Sequence, residues 1–433
     1  MKTIRFWHYA VIIASTVAVW AFFQFGYEYS FFYKEQNQLF VLSPDYVSTY
    51  LSPWLAHVSF LPSAGWLAQL LGDFLTSLYY YEYAGAAIFS LFVMTGGLGM
   101  LSLSTRFTRC FVKSGSRTGA IVPMVVSLAV MSLLAAQNFS FEHPLSQTVA
   151  ISMSICLIAM LLSRHVHRYF RPVGILLVLW LFMPRGFTSP RMPDMKTERY
   201  LAIDNLYYFG RYDEVVNTVA AMSDPSPLEA FYYYLVEARR GELPYIINKV
   251  KPVNLGTLYK IGPQSTPQEI KAVAELYFAL GDWTLAERQA MLSCVFSPAN
   301  RSSRMIRRLA EVNIASGDRP AAMKYLRILS HTIPHRRWAE SRMALLNSRS
   351  TAVQGEKALP TAADALRTSA DGRSTLTRLL DDNPRNRLAL DLLLCTDYLA
   401  GARELFVGDI DKYYIPIYGL PTEPMYRDLY KNK

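Results

Sequence analysis

The sequence has few cysteines, and its first 184 residues carry little charge. Only four cysteines occur in 433 residues, at positions 110, 156, 294 and 395. None belongs to a Cys-x-x-Cys pair or to a Cys/His cluster with metal-ligand spacing, so no metal site and no cofactor is predicted. Cys294 and Cys395 are expected to be buried free thiols, and a disulfide between them in an oxidising compartment is the alternative.

Charge is distributed unevenly along the chain. Residues 1–184 carry ten Lys or Arg and six Asp or Glu, whereas the remainder carries 34 and 28. The net charge of +10 divides into +4 and +6, and neither part is basic enough to indicate binding to nucleic acid. We therefore predict a transmembrane domain over 1–184, a proline-containing linker over 185–196 and a water-soluble domain over 197–433.

Five apolar segments are candidate membrane spans. Phe6–Phe25 has twenty residues without formal charge, enough to cross a hydrocarbon core of about 30 Å. No small-residue cleavage site follows it, so we interpret it as an uncleaved signal anchor. The other candidates are Ala84–Leu103, Ala120–Gln137, Gln147–Leu162 and Pro172–Pro184. The last would reach only about 20 Å as a helix.

The loops between these spans predict an orientation. If the N-terminus is cytoplasmic, nine of the ten bases lie inside and all six acids lie outside. Positive charge in short loops favours the cytoplasm, so we predict a cytoplasmic N-terminus. Five spans place the C-terminal domain outside, in the periplasm of a bacterial inner-membrane protein, whereas four place it in the cytoplasm. We favour five, because the run ending at Trp180-Leu181-Phe182 is too apolar to leave in water.

The first outer loop, residues 26–83, is long and apolar. Apolar residues at helical spacing after Pro62-Ser63 predict an amphipathic helix suited to the outer membrane surface. In one interpretation, short helices cap the bundle and the loop acids face water. In the other, the loop is an active-site lid and resembles the start of membrane glycosyltransferases of the GT-C class. That resemblance implies a polyprenyl-phosphate-linked sugar donor, with Glu35 or Asp45 as catalytic base or metal ligand.

The second predicted span contains a run of small residues, and the first four spans lack charged residues. Thr95–Gly99 contains three glycines, which would let a neighbouring helix approach closely. Spans one to four contain no charged residue, which argues against an ion or substrate path through the membrane.

Helical periodicity dominates the C-terminal half, and strand alternation is absent. Glycines at 210, 241, 281 and 317 are spaced 31, 40 and 36 residues apart, which predicts helical hairpins with glycine in each turn. The pattern resembles the tetratricopeptide-repeat (TPR) family, most closely at Ala274–Pro298 and Ala310–Pro334. This resemblance implies a degenerate TPR-like α-solenoid, and hence an all-α chain that binds a protein or peptide partner.

Two aromatic segments lie in this half. Phe231, Tyr232 and Tyr234 are predicted to line a concave partner-binding groove, with a place in the core between repeats as the alternative. The tail Tyr413–Tyr418 is predicted to fold back onto the last hairpin as a cap, with an exposed strip for a partner as the alternative.

The whole chain resembles a family of bacterial multi-pass membrane proteins with a TPR-like C-terminal domain and no assigned activity. The residues that carry the resemblance are Phe32-Tyr33-Lys34-Glu35-Gln36-Asn37-Gln38-Leu39-Phe40, Phe74-Leu75-Thr76 with Tyr79-Tyr80, and Gly85-Ala86-Ala87. Two functions remain open at this point. The first is a membrane-anchored scaffold that binds an envelope partner, and the second is a lipid-linked-sugar transferase that uses the outer loop.

Overall fold

The computed structural model describes residues 2–42, 63–111, 117–163, 166–184, 186–247, 262, 264–297, 300–348 and 372–431. The described residues form helices and loops, with no strand among them, which confirms the predicted all-α class. The chain divides into two compact units. The first unit is Met1–Glu198 with Ile328–Trp338, and the second unit is Arg199–Arg327 with Ala339–Lys433.

The described helices run in chain order as follows. The first set is α1 (Lys2–Phe25), α2 (Tyr29–Gln36), α3 (Trp66–Thr76), a 3₁₀ turn (Ser77–Tyr80), α4 (Ala84–Phe111), α5 (Arg117–Asn138), α6 (Leu145–Leu161) and α7 (Phe170–Leu181). The next set is α8 (Met195–Tyr208), α9 (Tyr212–Ala220), α10 (Pro227–Arg240), α11 (Leu243–Ile246), α12 (Pro267–Leu280), α13 (Trp283–Val295), α14 (Ser303–Ser316), α15 (Arg319–Ser330) and α16 (Arg336–Ser348). The last set is α17 (Gly372–Asp382), α18 (Arg387–Leu399), α19 (Arg403–Asp409), a π-helical turn (Ile410–Tyr414), α20 (Ile415–Tyr418) and α21 (Pro424–Lys431).

Among the residues that the structure describes, three helices are long and apolar enough to cross a membrane. They cover Phe6–Phe25, Ala84–Arg109 and Ile121–Asn138. The predicted fourth and fifth spans correspond to α6 and α7, which have 17 and 12 residues. Both are shorter than the roughly 20 residues that a perpendicular crossing needs. The count of five spans therefore stays a prediction.

The bundle of the first unit is centred on α4, which packs against α1, α5 and α6. Small residues allow this close approach. A Cβ on Gly99 would lie 2.9 Å from backbone atoms of Cys156, and a Cβ on Gly97 would lie 2.6 Å from Sδ of Met131. The prediction that Thr95–Gly99 admits a neighbouring helix is confirmed.

Helix α3, the predicted surface helix, packs against α6 by its small residues. Its buried residues are Ala68, Gly72 and Thr76, which recur every fourth position. A Cβ on Gly72 would lie 2.4 Å from Cα of Ser146. The expected amphipathic helix is therefore a packed element of the bundle, because its narrow small-residue stripe fits a neighbouring helix more closely than its leucines do.

An extended segment, residues 186–194, runs across one end of the bundle, and we call it the strap. Thr188 N–H donates to Oε1 of Gln147 at 2.9 Å, and Arg191 N–H donates to the carbonyl of Ala136 at 3.0 Å. Asp194 N–H then donates to Oη of Tyr27 at 3.3 Å. Most of the predicted linker is thus anchored to the ends of α1, α5 and α6.

Residues 328–338, which the sequence places in the repeat domain, belong to the first unit. Leu42 N–H donates to the carbonyl of His331 at 2.8 Å. The rings of Tyr80 and His335 lie 5.3 Å apart in an edge-to-face arrangement.

The second unit contains the predicted glycine turns. Gly281 and Gly317 follow α12 and α14 with φ of +78° and +83°, in the left-handed region that favours glycine. Helix α13 packs against both α12 and α14. Ala274, Ala290 and neighbouring residues form their shared core. Antiparallel helices joined by glycine turns are therefore present, whereas a TPR-like solenoid stays a prediction.

The aromatic tail folds back as predicted. Tyr413 Oη donates to Asp381 of α17 at 2.9 Å, and Tyr426 Oη donates to Asp391 of α18 at 2.9 Å. Cys395 lies buried beside Tyr426 and is a free thiol, whereas Cys294 is a free thiol that is partly exposed. The expectation of free thiols is confirmed at both positions, and that of burial is confirmed at Cys395 alone.

Candidate functional site

Lys34, the single base of residues 26–83, is buried in the first unit. It lies on α2, whose apolar side packs Phe31 against Tyr79 with ring centroids 4.9 Å apart. Only 8% of Lys34 is exposed. Its Nζ donates to the Asn138 carbonyl at 3.2 Å and to Oδ1 of Asn138 at 2.5 Å. Lys34 thereby ties α2 to the last residue of α5.

Glu198 holds the other end of α2. Its Oε1 accepts a hydrogen bond from the Tyr29 amide at 2.6 Å, where the first turn of a helix leaves its amides without partners. Burial raises the pKa of Glu198 to about 8, against the lowering effects of the Tyr29 and Ser30 amides and of Lys34. Burial likewise lowers the pKa of Lys34 to about 7, and Glu198 opposes this shift. An acid and a base are thus buried near each other, and burial favours the neutral form of each.

His143 is a further buried side chain that interacts electrostatically with Lys34. Its Nε2 lies 2.8 Å from Oγ1 of Thr148. Burial, reinforced by the charge of Lys34, lowers the pKa of His143 to about 3. The imidazole is therefore neutral at physiological pH. We call Lys34, Asn138, His143 and Glu198 the polar cluster.

Three polar atoms of the polar cluster have no hydrogen-bond partner among the described residues. They are Nδ2 of Asn138, Nδ1 of His143 and Oε2 of Glu198, and all three are buried. Each such atom costs about 1–3 kcal/mol unless something satisfies it. Buried, unsatisfied polar atoms around titratable groups with shifted pKa values mark this cluster as the candidate functional site.

Of the two acids predicted as catalytic residues, Glu35 and Asp45, the structure describes only Glu35. Glu35 follows Lys34 on α2 and is only 3% exposed, so it lies beside the polar cluster in the chain and inside the first unit. Asp45 lies outside the residues that the structure describes. A catalytic role for either acid stays a prediction.

The predicted partner-binding aromatics are buried in the second unit. Phe231, Tyr232 and Tyr234 all lie on α10, within the interior. Tyr232 Oη donates to Oδ1 of Asp204 at 2.5 Å, and Tyr234 Oη donates to the Ile247 carbonyl at 3.3 Å. This is the core position that the sequence left open as the alternative. A contact between these residues and a partner stays a prediction.

A buried ion network surrounds Tyr232. Arg304 Nη1 lies 2.7 Å from Oδ2 of Asp204, and Arg304 Nη2 lies 3.1 Å from Oε1 of Glu275. Arg308 also binds Glu275, at 2.5 Å. These opposite charges pair with one another in the interior, so the network helps to fix the packing of the second unit. Over the described ranges, no three His, Cys, Asp or Glu side chains lie close enough to hold a metal ion.

Sequence reasoning identified the region of the polar cluster but not most of its members. Asn138, His143 and Glu198 belong to none of the motifs that the sequence offers. The available signal was Lys34, the one base predicted on the outer side, since a lone charge of unusual sign is a candidate for burial and pairing. Its partners lie 104 or more positions along the chain, where no local pattern connects them.

Comparison with known proteins gives one family. The model of a family of unknown function, DUF6057, matches residues 2–188 and 172–426. No curated protein and no solved structure matches the chain.

Proposed function

We propose that this chain, which belongs to the DUF6057 family, is a membrane-anchored binding protein of the bacterial cell envelope. The first unit holds the chain in the lipid bilayer, and the second unit presents a TPR-like stack of helices to a protein or peptide partner. The family match covers both units, so the proposal concerns the whole chain.

The observation that carries this proposal is the construction of the second unit. Its helices end at fixed glycine turns, and its interior is braced by the ion network around Arg304. A rigid, preorganised surface loses little conformational entropy when a partner binds. The second unit also has a surface groove of about 490 Å³, within the range of ligand-binding clefts.

The groove has a mixed lining that suits an extended peptide. Its residues are Leu380, Asp381, Asn383, Pro384, Arg385, Lys412, Tyr413, Pro416 and Ile417. Proline and tyrosine offer apolar contact at low entropic cost, and Arg385 offers a cation for an acidic side chain or a terminal carboxylate. Lys412 is already paired with Asp381 at 2.9 Å.

Site-specific photocrosslinking in living cells tests the proposal. A photoreactive residue at Arg385 should capture one defined envelope protein, and the substitution Tyr413→Ala should abolish that product. The same residue at Arg319, an exposed position outside the groove, is the control. Identical products at both positions, or a product insensitive to Tyr413→Ala, would contradict partner binding in the groove.

The membrane arrangement forms part of the proposal. We infer five crossings, with α6 and α7 as short fourth and fifth spans. Support comes from Gly65, just before α3, whose amide donates to the Trp180 carbonyl near the end of α7 at 2.7 Å. Ser154 Oγ also donates to the Phe182 carbonyl, at 3.4 Å. The chain thus leaves α7 beside the outer loop, which favours five crossings. With the cytoplasmic N-terminus inferred from the distribution of bases, the second unit is then periplasmic.

A lipid-linked-sugar transferase is the second candidate function. The specific observation in its favour is the burial of Glu35 next to Lys34, because burial is a common way to prepare a carboxyl group for proton transfer. In a deletion strain, Glu35→Gln should then fail to restore the phenotype, although the protein is present in normal amounts. Full rescue by Glu35→Gln would remove this candidate and leave the binding role unaffected.

A further inference from the structure

Three side chains that interact with Lys34 each have a buried polar atom without a hydrogen-bond partner among the described residues. Asn138 accepts from Lys34 through Oδ1, so its unpartnered Nδ2, on the same amide, lies close to the ammonium group. The unpartnered Nδ1 of His143 and Oε2 of Glu198 belong to side chains near enough for their charges to interact with that of Lys34. Protein packing therefore leaves three buried polar atoms without partners on side chains that interact with Lys34.

All four groups act as donors at neutral pH. An amide nitrogen only donates, and Lys34 donates from Nζ both as a neutral amine and as the ammonium ion that a bound anion would favour. The neutral His143 ring donates from Nδ1 when Nε2 accepts from the Thr148 hydroxyl, 2.8 Å away. Glu198 has a pKa of about 8, so at pH 7 its carboxyl group is largely protonated and donates as well. The Oε1 atom of Glu198 remains the acceptor for the Tyr29 amide.

A set of donors that includes a buried lysine is complementary to a ligand that only accepts. We propose that the polar cluster binds an oxyanion of the phosphate class, held by Lys34 and by the free donors of Asn138, His143 and Glu198. Phosphate oxygens accept charge-assisted hydrogen bonds and would neutralise the lysine. The site lies wholly within the first unit, and it stands independently of the groove in the second unit.

The position of the polar cluster suits a phosphate at the membrane surface. Asn138 is the last residue of the candidate span Ile121–Asn138, and Lys34 lies nine positions after the candidate span that ends at Phe25. The cluster is therefore at the end of two spans, at the depth where lipid headgroups lie. The phosphate could belong to a headgroup or be free in solution, and the chemistry of recognition is the same.

Two binding measurements on the full chain, purified in phosphate-free detergent, distinguish these sources. Calorimetric titration with inorganic phosphate tests the free anion, and native mass spectrometry with phosphatidic acid tests the lipid-borne phosphate. Binding in either arm supports the site and identifies its source. Absence of binding in both arms would overturn the proposal and leave a cluster that holds water.

The substitution Asn138→Asp separates ligand binding from structure. It keeps Oδ1 as acceptor for Lys34 but removes the Nδ2 donor and adds a negative charge. Phosphate affinity should fall by about tenfold or more while the melting temperature does not fall. The matched control is Asn347→Asp, since Oδ1 of Asn347 accepts from exposed Arg319 at 3.1 Å in the second unit. Unchanged affinity in Asn138→Asp would overturn the proposal.

Two further variants keep the test decisive if Asn138→Asp misfolds. Glu198→Gln preserves an acceptor for the Tyr29 amide and supplies a permanent donor, so phosphate binding at pH 7 should persist. His143→Phe removes Nδ1 without altering the hydrogen bonds of Lys34, so affinity should fall by about tenfold. Equal binding by wild type and His143→Phe would contradict the assignment of His143 as a donor to the ligand.

Discussion

Arg304 illustrates how single residues hold the second unit together. Its side chain is fully buried and binds the equally buried carboxylates of Asp204 and Glu275. A complete buried ion pair adds little to the stability of the fold, because the cost of desolvating both charges offsets their attraction. Loss of one member is costly, since the remaining charge is left in a medium that solvates it poorly.

We expect Arg304→Met to destabilise the protein by about 3–5 kcal/mol, because it strands carboxylates in the core. Thermal or denaturant unfolding of the full chain, followed by the helical signal, measures the effect. The matched control is Arg211→Met, which breaks an exposed pair with Glu214 and should cost no more than about 1 kcal/mol. Equal losses of stability in the two variants would show that the network around Arg304 contributes no more to folding than a surface ion pair does.

The polar cluster predicts an unusual dependence of stability on pH. The pKa of Glu198 is raised in the folded state from 4.5 to about 8, so its contribution is complete below 4.5 and is lost as pH rises through 8. The pKa of Lys34 is lowered from 10.5 to about 7, so its contribution is complete above 10.5 and is lost as pH falls through 7. The two contributions together place a minimum of stability at about pH 7–8.

Melting temperatures of wild type and Glu198→Gln at pH 5, 7.5 and 9.5 check this dependence. Between pH 5 and 7.5, the melting temperature of the wild type should decline. That of Glu198→Gln should not decline, because an amide does not ionise. Between pH 7.5 and 9.5, the melting temperature should rise in both proteins, since this rise comes from the deprotonation of Lys34. A parallel decline in the two proteins would assign the effect to other groups.

At the scale of single elements, close helix packing depends on glycine. In α3, a Cβ at Gly72 would lie 2.4 Å from Cα of Ser146, and backbone atoms cannot move aside as a side chain does. In α19, by contrast, a Cβ at Gly408 would meet nothing within 4 Å.

The same substitution at these two positions should therefore have opposite effects. Gly72→Ala should lower stability by about 1–3 kcal/mol through overpacking. Gly408→Ala should be neutral or stabilising by up to about 1 kcal/mol, because alanine favours the helix. Melting temperatures of the two variants are the measurement. Tolerance of alanine at position 72 would mean that α3 does not pack this tightly against α6.

The sequence predicted features that depend on neighbouring residues and missed those that depend on contacts between distant parts of the chain. Helix ends at Gly281 and Gly317 depend on neighbouring residues, and sequence alone located them. The buried face of α3 was missed because leucine periodicity dominates the pattern, whereas the small residues Ala68 and Gly72 decide the packing. The contacts of the strap and most members of the polar cluster were also missed. Tyr29 and Glu198, for example, are 169 positions apart, and only the fold joins them.

At the scale of the whole molecule, the membrane arrangement rests on one short helix. Helix α7 has 12 residues, about 18 Å of rise, against about 30 Å for a hydrocarbon core. Tilt cannot correct this shortfall, but flanking aromatic residues at the interface and local thinning of the bilayer can. Tyr169 and Phe170 at its start, and Phe182 at its end, are placed for that role.

Reporter fusions test whether α7 crosses. Alkaline phosphatase is active only outside the cytoplasm, so a fusion after Lys433 should be active if five crossings place the second unit in the periplasm. A fusion after Gln38 in the first outer loop should also be active, and one after Ser114 between α4 and α5 should be inactive, because bases flank that position. Activity after Gln38 without activity after Lys433 would reduce the count to four. The second unit would then be cytoplasmic, and its partner would have to be sought there and not among envelope proteins.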